Sequence, residues 1–246
     1  METDSNPKET DTAVSALQID ETRGTSRDLG KLFSRAFEIY RDNPIIIVPA
    51  LLPIAALIVG VIILAGFLGI AAITGGNEYA TFTAVAGFLI FLIALIVLFF
   101  LAEGITIEMV KEASMGQKAD LSRAWEASRD KMEPLILSSI LAGIFTVLGY
   151  ILLIIPGIIL SFALYFVAQA VMIDGKSGKE ALATSWTFVR ANLSDTLIII
   201  LASMVIEAVL PLIPAIGPLL SLLALPYLYA LATLLYLDQK RALPAR

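Results

Sequence analysis

The 246 residues contain no cysteine and no histidine. Without cysteine there is no disulfide and no thiolate metal site. Without histidine the chain lacks the commonest general base and the commonest transition-metal ligand. Charge is scarce as well: 16% of residues are Asp, Glu, Lys or Arg, against about a quarter in a soluble domain. The spacings G-x-S-x-G, the P-loop and the zinc motifs do not occur. A Ser–His hydrolase is therefore excluded. Glu108 and Glu112 lie i and i+4 on one helix face, but a hard cation needs three or more convergent oxygens. No catalytic residue, no cofactor-binding residue and no metal ligand is assigned, and no cofactor is expected. The net charge of −5 is spread over tails and loops, which gives no nucleic-acid surface.

Apolar residues fill the space that charge leaves. They make up 58% of the chain, and the mean hydropathy is +0.87. Several runs approach or exceed the roughly eighteen apolar residues that mark a spanning helix. An all-α integral membrane protein with six transmembrane helices is expected. Residues 1–28 are polar and acidic, with too few large apolar groups to order themselves. They read as a disordered tail and not as a signal peptide.

A repeating design organises the remainder, with a six-helix domain over 29–238. Leu29, Leu32, Phe33, Ala36, Phe37 and Tyr40 form one apolar helix stripe, with Lys31, Arg35, Glu38 and Arg41 on the other face and flanks. Such a helix lies in the headgroup plane. Phe33-x-x-Ala36-Phe37-x-x-x-Arg41 leads into Pro44 and a long apolar run; Leu121-x-x-Ala124-Trp125-x-x-x-Arg129 leads into Pro134 and another. Leu182, Ser185, Trp186, Val189 and Leu193, with Arg190, introduce a third. The units are 29–103, 120–173 and 178–237, each a surface helix followed by a transmembrane hairpin. A pseudo-threefold axis along the membrane normal follows if they are true repeats.

The spans read as follows. Pro53–Ile73 is the first, with Pro49 and Pro53 kinking its start. Gly75-Gly76-Asn77 is a turn. Thr81–Glu103 is the second, and Glu108, Lys111 and Glu112 carry its helix out into water. Glu103 ends that span and is given no role. Asp120 is an N-cap for the second surface helix. Pro134–Ile155 is the third span, Pro156-Gly157 breaks it, and Ile158–Ile173 returns as the fourth. Ser177-x-x-Glu180 opens the next helix as a capping box. Asp195–Leu212 and Leu219–Leu237 complete the six, with Pro226 bending the last. Residues 239–246 are a polar tail.

Every Lys and Arg falls at the surface-helix end or in the tails, and the loops 75–80, 156–157 and 214–218 carry none. That side is cytoplasmic, so both termini are expected inside.

Three groups of residues are candidates for function. In Phe37/Arg41, Trp125/Arg129 and Trp186/Arg190 the guanidinium lies one turn beyond the ring. It either holds an anionic headgroup or anchors the helix at the interface. Glu207 falls about 18 Å into the fifth span. It is either functional or close enough to the Pro211 turn to reach water. Gln169 and Tyr150, with Thr146 and Ser161, are placed on one interior surface, although Ser and Thr also serve as helix contacts. Ser139-x-x-x-Gly143 and Gly157-x-x-x-Ser161, beside Pro156, read as small-residue packing that brings hairpin helices together.

The run Ile154-Ile155-Pro156-Gly157-Ile158, then Asp174-Gly175, then Glu180-Ala181-Leu182-x-x-Ser185-Trp186-x-x-x-Arg190, supports a resemblance. Asp120–Leu237 resembles prokaryotic multipass membrane families related to the membrane domain of glycerophosphodiester phosphodiesterase fusions. The resemblance implies a six-helix domain in a prokaryotic cell membrane. The catalytic domain of those fusions is missing here, so no catalytic residue carries over. An acidic residue before the Gly after the fourth span is common in the family, and Asp174 matches it.

A non-enzymatic module that contacts lipid, anionic lipid included, or docks a protein is the expectation. A transporter or channel with a polar path near Glu207 is the alternative. The sequence names no protein partner and no oligomeric state.

Overall fold

The computed structural model describes residues 29–75 and 78–242. The tail 1–28, Gly76 and Asn77 of the first turn, and residues 243–246 lie outside the described residues. All regular elements among the described residues are helical. Six stretches are long and apolar enough to cross a membrane: Pro44–Gly69, Thr81–Ser114, Met132–Leu152, Ile154–Asp174, Leu193–Leu212 and Gly217–Lys240. With spans of that length and composition, this is a multipass membrane protein.

Helix α1 (Leu29–Asp42) buries Leu32 and Ala36, and turns Lys31, Phe37, Glu38 and Arg41 outward. The apolar stripe packs on the last helix, α10 (Gly217–Ala242). Tyr40 donates to the Leu223 carbonyl at 2.7 Å. That bond falls beside the Leu222 carbonyl, which Pro226, having no N–H, leaves without its helical donor. The Tyr40 and Tyr227 rings meet edge to face, centroids 6.3 Å apart. Asn43 ends α1: its Nδ2 donates to Ile39 O at 3.0 Å and its Oδ1 accepts the Ala119 N–H at 2.9 Å.

A 3-10 turn over Pro44–Ile47 leads into α2 (Val48–Thr74). Pro49 falls in the first turn, where a missing N–H costs nothing, and Pro53 lies inside the helix. Helix α3 (Glu78–Ser114) runs 37 residues, about 55 Å. It outruns the bilayer, and its last third is enclosed by protein. This corrects the expected exit into water. Glu108 and Glu112 are only 5% and 9% exposed, because α4 (Leu121–Arg129) and α5 (Met132–Leu152) pack over them. Lys111 Nζ sits 2.6 Å from Glu108 Oε1, and Lys131 Nζ 3.6 Å from Oε2. Glu112 Oε2 accepts the Asp120 N–H at 3.4 Å and faces Arg123 at 3.5 Å. Asp120 caps α4 as its spacing predicts, accepting the Arg123 N–H at 2.9 Å.

The next hairpin turns earlier than expected. The break is at Leu153, extended at φ −162°, ψ 148°. Pro156 sits in the first turn of α6 (Ile154–Ala163), where no N–H is needed. Gly157 is a close approach. A Cβ there would lie 2.4 Å from the Tyr150 ring and 2.8 Å from the Tyr150 Cα.

The fourth span, Ile154–Asp174, is not one unbroken helix. It breaks at 164–166 and resumes as α7 (Val167–Asp174). Helix α8 (Gly178–Ala191) explains why. Ser185 Oγ donates to the Ala163 carbonyl at 2.8 Å and accepts the Phe166 N–H at 3.1 Å. One hydroxyl thus meets two backbone groups that the break exposes, which apolar surroundings demand. The capping box at α8 does not form. Ser177 makes no side-chain cap bond, and Glu180 faces Lys176 at 3.5 Å. Ser138 of α5 accepts the Gly178 N–H instead, at 2.8 Å.

Helix α9 (Leu193–Val209) passes through a 3-10 turn at Leu210–Leu212 to α10. Helix α3 packs on α2, α4, α5, α7 and α10. The core gathers at the surface-helix end: Ile107, Met109, Leu135, Phe166, Met172, Leu231, Leu234 and Tyr236 are fully buried there. Phe166, Phe188 and Tyr236 stack as one aromatic group beside the α6–α7 break. The far halves of α2 and α3 leave Ile62, Ile63, Phe82 and Ile90 exposed, as lipid-facing residues should be.

Candidate functional site

An apolar cavity of 170 Å³ opens between α2, α3 and α10. Its wall on α2 includes Pro53 and Leu57; on α3, Leu95 and Phe99; on α10, Leu225 and Tyr229. Pro53 cannot donate to the carbonyl four residues before it, so its presence here loosens the wall at that turn. Leu57 and Phe99, both in the lining, are 45% and 41% exposed.

One carboxyl group lines it, that of Glu103. Glu103 lies on the helix face that also carries Phe99, Ala102 and Thr106 into the cavity, at i−4, i−1 and i+3. Thr106 is turned back on its own helix, donating to Ala102 O at 2.7 Å. Glu103 has no hydrogen bond and no ion pair among the described residues. Tyr165 and Tyr229 both lie within electrostatic reach of Glu103 and of Glu207. Sequence reasoning gave Glu103 no role, because counting inward from the charged end placed it at the rim. The signal was available in Pro53 and Tyr229, but only the packing of three helices joins them.

The other candidates are placed apart from this cavity. Phe37, Trp125 and Trp186 are 55%, 46% and 37% exposed, as interface anchors are. Arg41 Nε is paired with Asp42 at 2.9 Å and Arg129 Nε with Asp130 at 3.5 Å. The Asp42 carboxylate raises the affinity of the Arg41 guanidinium for its proton. Arg190 is exposed on α8. An anion approaching Arg41 or Arg129 would therefore compete with an adjacent carboxylate.

Glu207 is exposed on α9, one turn before the Leu210–Leu212 turn. Gln169 is buried on α7, its Oε1 without a partner. Tyr150 is committed to Ser161, hydroxyl to hydroxyl at 3.1 Å, beside the α5–α6 turn. Ser161 also donates to Gly157 O at 2.9 Å. Tyr150 and Ser161 thus meet, whereas Gln169 is buried on α7 and Glu207 exposed on α9. For the packing residues, Gly157 and Ser161 sit in the hairpin contact, with Pro156 half-buried beside them. Gly143 does not: it is exposed, with nothing within 4 Å of a Cβ there. Gly149 takes that place, its Cβ position 3.0 Å from the Gly157 Cα. Ser139 is half-buried, and its neighbour Ser138 is turned to the α8 N-terminus.

Asp174 proves structural. Its Oδ2 accepts from the Tyr236 hydroxyl at 2.8 Å, and Lys240 pairs with its Oδ1. Asp195 accepts from Gln239 Nε2 at 2.8 Å, and Asp238 from Arg35 at 3.0 Å. The last turns of α10 thereby hold α7, α9 and α1. Among the described residues there is no grouping of acidic side chains that could hold a metal ion.

No curated protein and no solved structure is detectably similar to the chain. A family model described as a domain of unknown function (DUF7847) matches residues 134–238, which takes in α5 to α10 and less than half of the sequence.

Proposed function

We propose that this protein is a non-enzymatic membrane module that holds a lipid chain in the cavity between α2, α3 and α10. One observation supports this above others: the cavity has apolar walls and its lip, at Leu57 and Phe99, faces the bilayer. Dry apolar cavities of such a size accept apolar guests. The module is a prokaryotic one in this reading, kin to the membrane part of the phosphodiesterase fusions, with three hairpins entering from the cytosol. The packing of α2 on α3, α5 on α6 and α9 on α10 supports the hairpins. The charge asymmetry supports cytoplasmic termini. Surface helices α1, α4 and α8 are the elements that match between the three units, and a pseudo-threefold arrangement is part of the proposal. Their exposed rings rest at the headgroup level, where anionic lipid meets Arg41, Arg129 and Arg190.

The test is lipid retention. Protein taken from native membrane into nanodiscs and then into mild detergent should carry a fixed ratio of lipid by native mass spectrometry. Leu95→Trp, which fills the cavity from α3, should lower that ratio with little change in melting temperature. Equal retention by the two proteins would overturn the proposal.

A second reading, transport past Glu207, draws on the two tyrosines that lie in electrostatic reach of both intramembrane acids. It requires solute flux in proteoliposomes that Glu207→Ala abolishes.

A further inference from the structure

We infer that the cavity beside Glu103 takes the protonated amine end of a single-chain lipophilic amine arriving from the bilayer. This names the ligand class for the lipid-chain site proposed above and rests on that reading.

Size comes first. At 170 Å³ the cavity slightly exceeds the roughly 150 Å³ apolar void that accommodates a benzene-sized guest. It therefore holds a short stretch of one chain and not a two-chain headgroup. The rest of the chain lies past Leu57 and Phe99 in the membrane, where both side chains are exposed.

Charge decides the head. Glu103 is the one acidic side chain in the lining, with no basic side chain beside it. No hydrogen bond or ion pair satisfies it among the described residues. An ionised carboxylate in apolar surroundings is costly unless a cation or several donors meet it, and otherwise it takes up a proton. Two carboxylates at the surface-helix end of the spans are met by cations. Glu108 has Lys111 and Lys131, and Asp174 has Tyr236 and Lys240. An ammonium supplies both the charge and the donors, in a charge-assisted bond stronger than a neutral one. Tyr229, also in the lining, is an aromatic side chain of the kind that attracts a cation. A carboxylate ligand would be repelled, and an alcohol would supply one neutral bond.

The experiment uses three photoreactive probes with one eight-carbon diazirine chain, ending in a primary amine, an alcohol or a carboxylate. The full chain is held in phosphatidylcholine nanodiscs, and adducts are mapped by mass spectrometry. Labelling at Ile144, exposed on α5, normalises each probe for its partition into the membrane. The amine should label the Leu95–Thr106 wall at about one-tenth of the alcohol concentration, with the carboxylate weakest. Glu103→Gln should bring the amine back to the alcohol's level, while Glu103→Asp keeps part of the preference. If the alcohol and the amine label the wild-type wall equally, the amine assignment is wrong and the chain site stands. If no probe labels the wall above Ile144, the chain site falls as well. The ranking on the wild-type protein decides even where Glu103→Gln fails to fold.

Discussion

The Ser185 hydroxyl lies 2.8 Å from the carbonyl oxygen of Ala163, and both are buried. A surface helix thus reaches into a spanning helix and satisfies its broken backbone. Ser185→Ala would leave that carbonyl and the Phe166 N–H unpaired. Unsatisfied buried groups cost about 1–3 kcal/mol each. The melting temperature in nanodiscs should fall clearly, with amide exchange rising first at 163–167. Unchanged exchange there would show that the hydroxyl does not hold the break.

The hairpin contact gives a matched pair. Gly157→Ala puts a methyl 2.8 Å from the Tyr150 Cα, which is backbone and cannot step aside. Overpacking of this kind costs about 1–3 kcal/mol. Gly143→Ala meets nothing within 4 Å and replaces a flexible residue in a helix, which favours the helix by roughly 1 kcal/mol. Thermal unfolding of the two variants should move in opposite directions.

Asp174 has two partners of unequal value. Tyr236 is fully buried, whereas the Lys240 side chain is about half exposed. Tyr236→Phe should cost about 1–2 kcal/mol through the lost hydroxyl and the orphaned carboxylate oxygen. Lys240→Met should cost less than Tyr236→Phe, because the Lys240 side chain is about half exposed although Asp174 is not. A double-mutant cycle in nanodiscs separates the two.

The missing cysteines make orientation easy to measure. Single cysteines at Lys118 and at Ala215, both exposed, have no thiol background to compete with. An impermeant maleimide should label Ala215→Cys from outside the cell and Lys118→Cys only in inverted vesicles. The opposite pattern would invert the proposed topology.

Local chemistry was legible in the sequence and distant pairing was not. Asp120 was read as a cap because its acceptor and the Arg123 N–H are three residues apart. Ser177 has the same local pattern, but Ser138, forty residues away, serves the α8 N-terminus instead. Hydropathy found all six spans, since burying apolar surface in lipid needs no knowledge of neighbours. The same uniform hydropathy hid helix phase. Gly149 makes the hairpin contact that Gly143 was expected to make, while Ser138, beside Ser139, serves α8. It also hid the fracture at 164–166, where the sequence is as apolar as in any span and only Ser185 betrays it. Glu103 was seen but set at the rim, because residue counts give depth and say nothing of which helices close around a side chain.

The fastening of α1, α7 and α9 to the final turns of α10 has a consequence for biogenesis. Arg35, Asp174 and Asp195 are synthesised early, yet their partners Asp238, Tyr236, Lys240 and Gln239 are the last of these to leave the ribosome. Until then five inserted segments stand in the bilayer without the clasp that ties their surface-helix ends together. Assembly of this membrane domain therefore waits for its last span in the decisive step, however early each helix enters the lipid.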